Sequence, residues 1–170
     1  MKLVGLPGRN PETESWMQAV LADPAPAPGR TQIARYRHWQ EGGEPDVGYE
    51  ASRLNLTAED GVIAKSMGTL VLLAQVADGH QPGWAVLIGT PLNHYDELNV
   101  QRLTRLVASI PVLFIQQAGD FTCPCDRVRN LVGDAGLAEV IEVAGEDHVY
   151  RDVDELRALI GSWVEAHVQD

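Results

Sequence analysis

The 170-residue chain has little cysteine, few basic residues and no long apolar run, and each shortage removes a class of protein. Its two cysteines, Cys123 and Cys125, cannot build a disulfide framework. With one residue between them, a mutual bridge would be strained. Free thiols in a reducing, cytoplasmic setting are the expectation. Lys and Arg total 13 against 24 Asp and Glu, a net charge of −11. That charge repels phosphate backbones and anionic lipid surfaces, and no local basic patch offsets it. Neither nucleic acid nor a membrane surface is an expected partner. No stretch approaches the ~18 apolar residues of a membrane span. The opening run, Leu3-Val4-Gly5-Leu6, is too short for a signal-peptide core. Internal repeats are also lacking.

What remains is ordinary globular material, 45% apolar and 22% charged. The length suits one domain over residues 1–170, large enough to bury a core without staples. The only biased segment, Asp23 to Arg30 (DPAPAPGR), has alternating prolines that forbid a helix and favour an extended connection.

Elsewhere the chain alternates between strand and helix patterns. Strands are expected at Lys2–Gly5, Thr31–His38, Gly61–Ala64, Trp84–Ile88, Pro111–Gln116 and Glu139–Val143. Asn10-Pro11 reads as an N-cap with proline at the first helical position, opening a helix with Trp16, Met17, Val20 and Leu21 on one face. Further helices are expected near Val47–Leu54, over Thr69–Ala77, around Leu103–Ile110 and near Asp126–Val132, where Asp126 would cap. The last carries Leu156, Leu159, Ile160, Trp163 and Val164 at the spacing of one apolar stripe. Strands alternating with helices imply α/β architecture, a doubly wound parallel sheet of about six strands in three layers. Ligands then sit where strands end, so loops that follow strands are where chemistry is sought.

Three such loops carry a matched set of residues. The third strand runs through Ala64-Lys65-Ser66-Met67-Gly68 into an apolar helix. A serine on a tight strand-to-helix turn presents its hydroxyl at the sheet edge, and small residues two before and two after let the chain pass itself. Ala64 and Gly68 meet that need. The fifth strand ends in Ala118-Gly119-Asp120, and the sixth is followed by Gly145-Glu146-Asp147-His148. Asp147 is the less suitable acid because neighbouring side chains in an extended loop point apart. The order Ser66, Asp120, His148 supplies a nucleophile, an acid and a base, each after a strand.

This order and the A-x-S-x-G turn resemble the nucleophile elbow and triad of α/β-hydrolases, over nearly the whole chain. The chain is similar to small lid-less members of the retinoblastoma-binding-protein and YdeN-like type. The resemblance implies a minimal α/β-hydrolase fold, sheet order 2-1-3-4-5-6, without the first two of eight strands and without a cap domain. It implies a serine hydrolase of small acyl esters, with thioesters and amides left open and no cofactor or metal. Ser66 would be acylated, His148 would shuttle the proton and Asp120 would hold the imidazole. The oxyanion would be held by the Met67 N–H and by a second N–H, of Arg9 or Asn10, from the loop after the first strand. Gly8 would let that backbone approach closely.

His38, Trp39, His94 and Tyr95 follow strands and are candidates to contact substrate, although an ordinary loop role suits each as well. Cys123 and Cys125 offer too few ligands for a metal site. The alternative function is a non-catalytic binding module that keeps the fold. A flavodoxin-like nucleotide binder is a weaker reading, for want of a glycine-rich phosphate loop. Oligomeric state is not legible.

Overall fold

The computed structural model describes residues 2–22 and 30–168. All of the proline-rich connection except Arg30 lies outside the described residues. The elements run β1 (Lys2–Leu6), α1 (Glu12–Leu21), β2 (Arg30–Ile33), α2 (Arg37–Glu41), α3 (Val47–Ser52), β3 (Gly61–Lys65) and α4 (Met67–Ala77). Then follow β4 (Trp84–Ile88), a 3-10 turn (Leu92–His94), α5 (Glu97–Val107), β5 (Val112–Gln117), α6 (Cys125–Val132), β6 (Ala138–Val143) and α7 (Val153–His167).

The strands form one six-stranded parallel sheet in the order β2-β1-β3-β4-β5-β6. Order and strand count match the sequence expectation. The reversal of winding falls between β1 and β3, so the loops after these two strands open on one crevice.

Strand alternation explains the two cores. Val62 and Ala64 of β3 pack with α3, α4 and α5 on one face, and Ile63 packs with α1 and α7 on the other. In β4, Ala85 and Leu87 face the first layer, whereas Trp84, Val86 and Ile88 face the second. Helix α4 is apolar nearly all round because neighbours cover most of its surface; Val71, Leu72 and Leu73 are fully buried. Helix α7 buries Leu156, Ile160, Trp163 and Val164 of the stripe read from the sequence, with Leu159 partly buried beside them. Each such side chain contributes roughly 1.5–3 kcal/mol through burial.

Three local expectations are corrected. Strand β2 stops at Ile33 rather than reaching His38, because Tyr36 turns into the core and the chain enters α2. Asn10 does not cap α1 with its side chain; its carbonyl instead accepts from the Thr13 backbone N–H at 3.0 Å. Asp126 does not cap α6, which begins one residue earlier with Pro124 at the N-cap; Asp126 lies in the first turn and pairs with Arg129. Among the described residues, no helix is long and apolar enough to cross a membrane.

Candidate active site

Ser66 sits between β3 and α4 with φ 52° and ψ −117°, one of two non-glycine residues with positive φ among the described residues. Its N–H still donates to the Ile88 carbonyl at 3.1 Å, so the β3–β4 ladder runs to the edge of the turn. The turn closes only because position 68 is glycine. A Cβ there would collide with the backbone carbonyls of Leu6 and Pro7. That packing brings the loop after β1 against the start of α4. The small residue expected at position 68 is thus explained by backbone against backbone.

His148, in the loop after β6, bridges the other two residues. Its Nε2 lies 2.7 Å from Ser66 Oγ and its Nδ1 lies 2.8 Å from Asp120 Oδ2. Beneath the ring lies Gly89, at φ 60°. A Cβ there would press on His148 Cε1 at 3.0 Å and on the Tyr150 ring at 2.9 Å.

Asp120 is 1% exposed and is satisfied from every side. Oδ1 accepts from the Thr122 N–H at 2.8 Å and the Thr122 hydroxyl at 2.7 Å. Oδ2 accepts from His148 and, at 2.9 Å, from the Tyr150 hydroxyl. Burial alone would raise this carboxyl, but the hydrogen bonds from His148 and Thr122 outweigh it and hold it below the usual carboxylate range. The acid is therefore ionised and fixed. Tyr150 also accepts the Gln117 N–H at 2.9 Å, and burial pushes its hydroxyl far above the ordinary tyrosine value.

The loop after β1 is held from α2 and the residue before it. Tyr36 Oη donates to the Pro7 carbonyl at 2.9 Å. Trp39 Nε1 donates to the Arg9 carbonyl at 2.7 Å, and His38 Nε2 lies 2.8 Å from the same oxygen. His38 and Trp39, read from the sequence as possible substrate contacts, thus face the back of this loop.

Two cavities meet at Ser66. The larger, about 490 Å³, is lined by Gly8, Arg9 and Asn10 together with Trp16, Lys65 and Phe121. The smaller, about 290 Å³, has Val47, Met67, Leu70 and Pro91 as apolar walls, with His94 at its edge. Phe121 is exposed at the rim, its ring 5.8 Å from that of His148. Of the four expected contacts only His94 lines a cavity; Tyr95, like His38 and Trp39, does not. The Tyr95 hydroxyl meets Thr69 inside the α4 layer, since a buried phenol needs a polar partner and finds it there.

Thr122, Tyr150 and Lys65 were not singled out by the sequence. Thr122 and Tyr150 each stand two residues after a triad position, and Lys65 is the one charged residue in the apolar strand GVIAK. Cys123 and Cys125 are buried and free, and burial pushes the Cys125 thiol up to about 11, which suits neither a nucleophile nor a metal ligand. Among the described residues, no group of three His, Cys, Asp or Glu side chains is placed to hold a metal ion.

Neither a protein-family model nor a curated protein matches the chain. Solved structures do. The esterase Pf2001 of Pyrococcus furiosus is 16% identical, with TM-score 0.72 over 99% of this chain and 83% of its own. An alpha-beta serine hydrolase homologue from Coxiella burnetii is 16% identical, with TM-score 0.67 over 95% of this chain and 83% of its own. A YdeN-like protein of Pectobacterium atrosepticum is 17% identical, with TM-score 0.64 over 97% of this chain and 91% of its own.

Proposed function

We propose that this chain, which has the α/β-hydrolase fold, is a serine hydrolase of small acyl esters working through an acyl-enzyme on Ser66. The observation that carries the reading is the His148 ring, hydrogen-bonded at once to Ser66 Oγ and to an ionised Asp120. In this reading Ser66 Oγ attacks the ester carbonyl carbon as its proton passes to His148 Nε2. The tetrahedral intermediate collapses, the ester C–O bond breaks, and the leaving alcohol takes the proton from Nε2. Water then repeats the sequence on the acyl-enzyme and releases the acid. Asp120 fixes the imidazole tautomer and stabilises its cation.

The oxyanion falls to the Met67 N–H, at the start of α4 where no intrahelical acceptor exists. Asn10 is the better second donor. Its N–H is antiparallel to the Arg9 carbonyl across one trans peptide, and that carbonyl is held on the α2 side by His38 and Trp39. Gly8, Arg9 and Asn10 line the larger cavity, and His94 borders the smaller, where an acyl or alcohol group would lie.

A small acyl compound is thus the proposed partner, with no part for nucleic acid at a net charge of −11. Two free, buried thiols fit a reducing cytoplasm. A non-catalytic binding module would have no use for the strained Ser66 backbone. Purified protein is expected to hydrolyse p-nitrophenyl acetate well above a Ser66→Ala variant. Equal rates would refute the proposal.

A further inference from the structure

Lys65 is a lysine in the wrong place for an ordinary strand end. It is 3% exposed, directly precedes Ser66, and alternation along β3 turns it to the α1/α7 face. A buried ammonium needs partners, and this one has three. Its Nζ donates to the His148 backbone carbonyl at 2.8 Å. It also lies 5.1 Å from the centre of the Tyr150 ring and 5.5 Å from that of Trp16.

The same rings are tied to the same loop. Trp16 Nε1 donates to the Tyr150 carbonyl at 2.8 Å, and Tyr150, like Ser66, has a positive φ, 59°. The loop that carries His148 is therefore held at two carbonyls two residues apart, one from β3 and one from α1. Removing the ammonium would take the donor from a part-buried carbonyl directly behind the base.

The geometry points to Lys65 as a positioning residue, its ammonium clamping the His148 carbonyl so that Nε2 stays within reach of Ser66 Oγ. This rests on the function proposed above and adds a dependence on the charge of one side chain. The titratable groups that face Lys65 are Asp120 from the loop after β5 and Asp147, His148 and Tyr150 from the loop after β6. Glu12 of α1 lines the shared cavity. Burial brings Lys65 down to about 8, against the opposing pull of Asp120 and Asp147. Deprotonation removes the cation from both rings and weakens the bond to the carbonyl. Activity should then fall as pH rises through about 8.

The test uses Lys65→Met, which keeps an unbranched chain between the two rings and donates nothing. With p-nitrophenyl acetate, kcat is expected to fall about tenfold while KM changes less than about twofold. The wild-type alkaline limb near pH 8 should disappear in the variant. Hydrogen exchange across residues 145–150 should quicken. Thermal stability should fall by a few degrees, because the His148 carbonyl loses its donor and both rings lose the cation.

Unchanged kcat with unchanged exchange would overturn the assignment. So would a wild-type rate that stays flat from about pH 7 to 10, a reading that needs no variant. If wild type neither hydrolyses ester nor reacts at Ser66, the proposed function fails separately. The exchange comparison then decides alone whether Lys65 holds the loop.

Discussion

Replacing Tyr150 by Phe removes one oxygen and leaves the ring in place. That oxygen makes two contacts, donating to Asp120 Oδ2 at 2.9 Å and accepting the Gln117 N–H at 2.9 Å. Tyr150 is 2% exposed, so water does not replace either. A hydrogen bond to an ionised group is worth about 1.5–3 kcal/mol, and an orphaned buried N–H costs about 1–3 kcal/mol. The two overlap, so the expected loss of stability is roughly 2–4 kcal/mol, or on the order of 5–15 °C in Tm for a domain of this size. Asp120 keeps the two Thr122 donors and His148, so activity should fall about tenfold rather than vanish.

The pH dependence has a definite sign. The Asp120 carboxyl lies below its ordinary value in the folded protein, so its ionised form stabilises the fold above the unfolded carboxylate range. That contribution is lost as pH falls through the lower, folded value. The Tyr150 bond is strongest to the ionised carboxylate. The stability gap between wild type and Tyr150→Phe should therefore be full at pH 7 and narrow under strong acid. Urea titrations across pH measure it. A gap below about 0.5 kcal/mol at neutral pH, or one that widens in acid, would refute the reasoning.

Gly68→Ala should destabilise by at least about 1–3 kcal/mol, because its Cβ meets the Leu6 carbonyl rather than a side chain that can turn away; thermal denaturation checks this. Trp39→Phe removes one of the two donors on the Arg9 carbonyl and should loosen the loop after β1. A fall of about three- to thirtyfold in kcat/KM is expected, with Tm lowered by only a few degrees. Unchanged kcat/KM would mean that the loop does not need this anchor.

The fold was legible because its signals were periodic. Strands such as WAVLI are buried on both faces and leave no polar alternation, and α7 repeats its apolar positions without interruption. The candidate triad was legible because strand ends and a tight turn constrain where Ser66, Asp120 and His148 must stand. The misread parts depend on partners distant in the chain. Thr31 to His38 looks like one long strand until Tyr36 is needed by the Pro7 carbonyl, nearly thirty residues earlier. Tyr95 looks like a loop residue until Thr69 takes its hydroxyl. Lys65 reads as one more residue of the turn before Ser66, and only the packed rings of Trp16 and Tyr150 mark its ammonium as part of the site.

The central claim is that Ser66 is a nucleophile activated through His148. Incubating wild type and a His148→Ala variant with a fluorophosphonate, then mapping the adduct by mass spectrometry, tests it most directly. One phosphonyl group on Ser66 in wild type, formed at least about 10³-fold more slowly in the variant, is the expected result. An unmodified wild-type protein, or a label on another residue, would contradict it.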